Sequence, residues 1–404
     1  MPSPACKLRI LLLSQEYPPD TGWGGIGVYS QLLAIQLTQN GHHVEVIARN
    51  GKARTKKSTT IDGITVHRIG ATIARRKLIG RTLDKMWFSI EVAKTVRHLN
   101  MKSPFDVIET TEAGYEGWWL ARSPKWAKSI VVQCHGSNSR GELPLGLLKV
   151  FHKVDWFLSY RVELSLLKQA NIITVPSIAV RAQLLEEGIA NSKIYLVPHG
   201  VDIEKFTPKT NYEQGAEEQL LRVGFVGRLE VRKGIGFFLA VAELLLDTPQ
   251  VEFHLAGAIH PSMKQRLKKY SPDVLNRLIF HGNVPFDDMP SFYRSLDVLL
   301  IPSKFEAFGY TTVEGMSTGL IVIAGEEGAG SELIDDGVDG YHVKPDSSPL
   351  VIADLLNCIL HSKNRWDAMR MSAREKTVGS YSINAWSRKK LEVYYKLLRQ
   401  GSIV

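Results

Sequence analysis

The chain has 404 residues, 44% of them hydrophobic and 23% charged, with 50 Lys/Arg against 41 Asp/Glu for a formal net charge of +9. That length is more than one hydrophobic core usually organises, so two domains are expected. Cys6, Cys134 and Cys358 lie far apart without metal-ligand spacing, which points away from a disulfide framework or a zinc site and towards a reducing, cytoplasmic compartment.

The first apolar run, Leu8 to Leu13, is too short for a signal h-region or a membrane span and reads as a buried strand. A helix from Gly27 to about Gln39 and a strand from His43 to Ala48 complete a βαβ unit, with Gly41 stopping the helix. In the entry loop Gly22-Trp-Gly-Gly-Ile-Gly27, Gly24 and Gly25 let backbone approach a ligand beside a helix N-terminus that favours phosphate. It is not a dinucleotide fingerprint, because the glycines start late and the second strand ends without an acid for a ribose; a purely structural turn accounts for it equally well. Residues 74–99 are basic and amphipathic, with Ile79, Leu83, Met86, Ile90 and Ala93 on one helical face and Arg81 and Lys85 off it. Such a helix either packs on its own domain or lies on an anionic bilayer, and Trp87 and Phe88 suit the second. Strands follow at 105–109 and 129–134, the latter running into His135-Gly136, which sets a histidine at a strand's carboxyl end. The aromatic run Tyr115 to Trp119 fits a core or a surface role. After strands at 171–175 and 193–197, Pro198 to Asp202 and the polar stretch Thr207 to Glu218 mark the domain linker. Residues 1–200 hold 26 Lys/Arg against 15 Asp/Glu, so the positive charge belongs to the first half and favours an anionic partner there.

The second half repeats the plan. Strand 221–226 enters the loop Gly227 to Gly234, where Arg228 and Lys233 can neutralise a diphosphate or simply be solvated. Strands at 251–256, 278–281, 298–301, 320–324 and 340–343 complete a second α/β unit with parallel strands. Glu306 falls on the loop after the strand 296–302, and Glu314 about one turn inside the helix Thr311 to Ser317. In open α/β folds that rim binds ligands, and two carboxylates beside an anion-binding helix end suit a sugar nucleotide. Taken alone, the pair is equally read as solvated surface glutamates.

In order along nearly the whole chain, Gly24-Gly25, His135-Gly136, Val197-Pro-His-Gly-Val-Asp202, Gly227-Arg-Leu with Lys233-Gly234, Glu306-x-Phe-Gly with Glu314, and Gly328-Ala-Gly-Ser-Glu-Leu-Ile resemble the retaining glycosyltransferase family 4. The resemblance implies the GT-B fold, two Rossmann-like doubly wound domains facing a cleft. Residues 1–198 would be the acceptor domain, 199–380 the donor domain, and 381–404 a helix returning to the first. It implies a hexosyl transfer from a nucleotide-diphosphate sugar without metal or other cofactor, by a front-face mechanism. Arg228 and Lys233 would meet the diphosphate and Glu306 the sugar hydroxyls with amides near Phe308 and Gly309. Glu314 would meet the ribose, Tyr310 and Thr311 the phosphate at the helix start, Gly24 and Gly25 the diphosphate from the other domain, and Val284 the base. His135 would lie beside the anomeric carbon. The expected acceptor is a glycan, a lipid-linked or a small-molecule hydroxyl, with peripheral membrane contact through 74–99 and no nucleic-acid partner. Departures from the family pattern at His199, Gly315, Ile321 and Asp339 spare these residues. Another GT-B enzyme, such as a sugar-nucleotide epimerase, or a non-catalytic sugar-nucleotide-binding protein are the competing readings.

Overall fold

The computed structural model describes residues 7–21, 24–51, 56–70, 81–123, 126, 130–136, 149–209, 220–362 and 366–401. The chain divides into two compact units, Met1–Pro198 with Trp386–Val404, and His199–Ala385.

The first unit is built on β1 (Arg9–Leu13), β2 (His43–Asn50), β3 (Lys57–Ile61), β4 (Ile64–Gly70), β5 (Val107–Thr111), β6 (Ile130–Gln133), β7 (Ile172–Val175) and β8 (Ile194–Leu196). Their order is β3-β4-β2-β1-β5-β6-β7-β8, parallel except for the β3–β4 pair. β5, β6 and β7 are buried along their whole length, β7 as a mainly apolar run and β5 and β6 with the buried polar residues Glu109 and Gln133 among apolar ones. β3 and β4 escaped the sequence reading: Lys57-Ser-Thr-Thr-Ile61 is polar and half-exposed, and the hairpin turns at Asp62-Gly63 with both residues at positive φ.

The second unit carries β9 (Leu221–Val226), β10 (Val251–Ala256), β11 (Leu278–Gly282), β12 (Val298–Ile301), β13 (Ile321–Gly325) and β14 (Tyr341–Val343) in the order β11-β10-β9-β12-β13-β14, all parallel. Leu221, Phe225, Phe238, Phe253 and Leu300 form part of one core layer, and Leu299, Val313, Met316 and Val322 of another. In both units the order reverses once, at β1/β5 and at β9/β12, and in open α/β sheets ligands bind at the carboxyl ends of the strands at such a reversal.

Two expectations change. The helix Arg81–Lys102 buries Phe88, Val92, Ala93 and Val96, so its inward face is not the one through Leu83 and Met86; Leu83 and Trp87 are exposed. Lys85 is not a free surface cation, for its ammonium donates to the Ala113 carbonyl at 2.6 Å. Residues 74–80 of that stretch, Ile79 among them, lie outside the described residues. In the run 115–119, Tyr115 and Trp118 are buried and only Trp119 is substantially exposed. The final helix runs Ile383–Gly401 rather than from Tyr381, because Tyr381 O accepts from Val201 N (2.8 Å) in a short bridge beside the linker.

Arg374, on the helix Asp367–Ser380, ties that helix to the linker: its guanidinium donates to the carbonyls of Phe206 (2.7 Å), Ser317 (2.8 Å) and Ile203 (2.9 Å). Replacing it with Met strands these acceptors. Urea unfolding of Arg374→Met should show a loss of about 1.5–3 kcal/mol, towards the lower end because the group is partly solvated.

Candidate active site

Where β9 and β12 part company, the loops 227–234 and 302–309 run side by side. Gly234 has φ +75°, and a Cβ there would lie 1.8 Å from the Pro302 carbonyl oxygen, so the two backbones meet only because this residue has no side chain. Lys304 N donates to Arg232 O (2.9 Å) and the Arg232 guanidinium to Phe305 O (3.2 Å), stitching the loops together. The result is a contact between residues 73 apart: Lys233 Nζ donates to Glu306 Oε1 at 2.6 Å. Burial alone would raise the Glu306 carboxyl, but the Lys233 ammonium outweighs it and holds the group below its ordinary range. The second predicted cation is placed differently. Arg228 is exposed and leans on Glu230 Oε1 at 3.3 Å, so the loop presents one fixed and one loose positive charge.

The helix Tyr310–Ser317 begins beside this pair. Gly309 caps it at φ +89°, and its first main-chain bond is Val313 N to Gly309 O (3.2 Å), which leaves the amides of Tyr310, Thr311 and Thr312 without an intrahelical acceptor. Thr311 is half-buried at this end. One turn in, Glu314 is buried and accepts from the Tyr293 hydroxyl at 2.7 Å. Burial pushes its carboxyl up to about 7, against the opposing hydrogen bond from Tyr293. The two glutamates, alike in sequence, are thus in opposite electrostatic states: Glu306 is held ionised, and Glu314 titrates near neutrality. Val284, after β11, and Tyr310 both pack on the cluster that contains Phe308. His199 was read only as linker, yet its ring stacks on Tyr310 (5.5 Å, 16°) and meets Phe308 edge-on (4.9 Å). Nothing in its spacing, more than a hundred residues away, could have shown this.

In the first unit, Gly24 and Gly25 are exposed at the start of the helix Gly25–Gln39. The preceding loop is pinned by the buried Arg68, which donates to Tyr17 O (2.8 Å) and Pro18 O (3.2 Å). His135 follows β6; its backbone N–H donates to Glu112 Oε1 (2.6 Å) and its ring meets Tyr29 edge-on at 4.7 Å. Burial, helped by the Lys390 charge, lowers the imidazole to about 3, so it is neutral at any physiological pH. The loop after β5 adds two carboxyls that sequence reading passed over. Glu112 and Glu116 are wholly buried and pushed up to about 7 by burial. Their only signal was position, two acids just past a buried strand. Among the described residues no group of three or more His, Cys, Asp or Glu is arranged to hold a metal ion, and no helix is long and apolar enough to cross a membrane.

The Glu314 environment has a measurable sign. Its folded value lies above the ordinary 4.5, so it favours the folded state while protonated, and that contribution is lost as pH rises from about 4.5 to about 7. Glu314→Gln should therefore gain stability relative to the parent on going from pH 5 to pH 8, by roughly 2–3 kcal/mol, followed by thermal unfolding at both values.

The model of glycosyltransferase family 4 matches residues 23–205, and that of glycosyl transferases group 1 matches 221–362, so the two together span most of the chain. An uncharacterized glycosyltransferase of Methanocaldococcus jannaschii is 24% identical over 406 residues, covering 96% of this chain and 98% of its own. Sucrose-phosphate synthase from Thermosynechococcus elongatus superposes with a TM-score of 0.79 at 21% identity, over 98% of this chain and 100% of that one. Anabaena HepE in complex with UDP-glucose does so with a TM-score of 0.69 at 19% identity, over 96% and 100%. These structures share the fold, which is GT-B: two Rossmann-like units with parallel sheets. The chain belongs to the family 4, group 1 glycosyltransferases and is a glycosyltransferase.

Proposed function

We propose that the chain transfers a hexosyl group from a nucleotide-diphosphate sugar to an acceptor hydroxyl, with retention of configuration and without a metal ion. The observation that carries this reading is the Lys233–Glu306 pair, set at the β9/β12 reversal beside the N-terminus of the helix Tyr310–Ser317. Without donor, the two side chains neutralise each other. A nucleotide sugar brings a diphosphate for Lys233 and hydroxyls for Glu306, so each partner exchanges the other for substrate, and the negative charge beyond what Lys233 neutralises falls to Arg228 and the free helix amides. As the C1–O bond to the leaving phosphate breaks, negative charge grows on the diphosphate. Lys233, the amides of Tyr310 and Thr311 near the helix start, and the loose Arg228 meet that charge. The acceptor oxygen bonds to C1, and its proton goes to the departing phosphate oxygen.

His135, kept neutral, offers a hydrogen bond rather than a proton in this scheme. Glu306 is given to the sugar hydroxyls in this scheme, which disfavours it as the nucleophile that a double displacement needs. Glu314, ionised above about pH 7, accepts from the ribose, while Gly24 and Gly25 provide backbone for the diphosphate and Val284 borders the base. HepE's complex with UDP-glucose supports a nucleotide-sugar donor. For the acceptor we propose a glycan or lipid-linked hydroxyl presented at an anionic membrane surface. This is supported by the exposed Leu83 and Trp87 on one helix and Val154 and Phe157 on the helix Lys149–Gln169, which meet where Thr82 N donates to Asp155 Oδ1 at 3.1 Å.

A panel of UDP-, GDP- and ADP-hexoses, read by thermal shift and by hydrolysis, tests the donor reading. One of them should raise the melting temperature and be slowly hydrolysed in EDTA; activity lost in EDTA and restored by Mg²⁺ would overturn metal independence. Lys233→Ala should lower kcat by about 10²–10³, and His135→Ala should lose most turnover yet keep nucleotide-sugar affinity. Binding with no turnover under any acceptor would favour a sensor instead. Flotation with liposomes should bring the protein up with anionic but not neutral lipid, and no shift in either sinks the membrane reading.

A further inference from the structure

We propose that Lys390, on the helix Ile383–Gly401, is a positioning residue for His135, acting through Glu109 and Tyr29. The inference rests on the role given to His135 above. Lys390 is fully buried, and its ammonium donates to Glu109 Oε2 (2.8 Å), Gln133 Oε1 (2.8 Å) and Thr174 Oγ1 (2.9 Å), one residue from each of β5, β6 and β7. All three of its protons are therefore used. Glu109 is saturated in turn: its Oε2 also accepts from the Tyr394 hydroxyl (2.6 Å) and its Oε1 from the Tyr29 hydroxyl (2.5 Å). Tyr29 is thus held at its far end, and its ring lies edge-on against the His135 imidazole at 4.7 Å. Gln133, two residues before His135, accepts from Lys390 and from the Thr174 hydroxyl (2.7 Å), so the strand leading to the histidine is clamped by the same lysine.

A lysine and a glutamate buried this deeply stabilise a fold poorly compared with apolar side chains of the same volume. What they supply here is direction. The ammonium fixes the carboxylate, the carboxylate fixes the tyrosine, and the tyrosine ring fixes the imidazole plane. The Lys390 charge also disfavours a second charge on His135. The ionisable groups that touch the histidine are Glu112, through its bond to the backbone N–H, and Tyr29, with Glu109 and Tyr394 one and two bonds further on. A helix from the far end of the chain thereby sets the orientation of a group that follows β6.

Two variants separate this from a merely structural role. Tyr29→Phe deletes one hydroxyl and leaves the ring and the Lys390–Glu109 pair in place. It should lower the melting temperature somewhat, since a buried carboxylate loses one donor, and keep donor affinity, but lower kcat between about tenfold and a hundredfold, using the best donor of the panel above. The double variant Lys390→Met with Glu109→Gln removes both charges together, which spares the fold an unpaired buried ion. In ¹⁵N-labelled full-length protein without ligand, the His135 imidazole should stay neutral from pH 5 to 8 in both proteins, because burial is the larger cause, but its ring signals should shift in the double variant as Tyr29 loses its anchor. A His135 spectrum identical in parent and double variant overturns the proposal, and so does parental kcat in Tyr29→Phe. If His135→Ala itself turns over normally, the catalytic reading of His135 fails, and the NMR comparison still decides whether Lys390 governs that imidazole.

Discussion

The arrangement at the β9/β12 reversal depends on Glu306 keeping its charge in a place that opposes it. Burial works against the ionised form, and the Lys233 ammonium at 2.6 Å reverses that balance. The contact exists only because the loops after β9 and β12 touch backbone to backbone, which requires a residue without Cβ at position 234. A buried ion pair of this kind is weak evidence for stability, since each ion gives up hydration that the other returns only in part. Its worth lies in being exchangeable. A ligand that carries an anion and a set of hydroxyls can substitute for both partners at once, whereas a ligand carrying only one of the two leaves a charge stranded.

The first unit follows a different electrostatic rule. Glu112 and Glu116 are pushed up to about 7 and His135 down to about 3, each chiefly by loss of water. The same burial in the second unit lifts Glu314 but not Glu306, the difference being a cation within hydrogen-bond reach. Residue type therefore says little about charge state in these two units, and the partner one bond away says most of it.

Most of the architecture could be read from the chain because parallel strands covered on both faces are apolar runs: β9, β10 and β12 fall where Leu221–Val226, Val251–Ala256 and Val298–Ile301 predict them. The β3–β4 hairpin was invisible, since an edge strand with exposed Lys57, Ser58 and Thr60 has no such run. The helix 81–102 misled for a related reason. Both of its faces carry apolar residues, and periodicity does not say which of Leu83 and Phe88 turns inward. Among the candidate site residues, Lys233, Glu306 and the helix start at Tyr310 come together in one unit. What pattern could not supply were contacts between residues distant in the chain, His199 on Tyr310 and Lys390 on Glu109, and the turn of Arg228 towards its near neighbour Glu230.

Phe308 sits between Glu306 and the helix that carries Glu314, and its ring is touched by His199 at 4.9 Å and Tyr381 at 6.2 Å. Those two residues belong to the stretches just after and just before the chain changes unit, and a bridge between Val201 and Ser382 joins the stretches to each other. Exchange of parts between related enzymes is constrained as a consequence. A chimera that grafts a new second unit with its seams at the linker and at the final helix will change one side of the Phe308 aromatic contact while keeping the other. A graft that carries residues 199–206 and 374–385 together with the loop 302–310 takes the whole aromatic contact with it, and is the smaller disturbance although it moves more sequence.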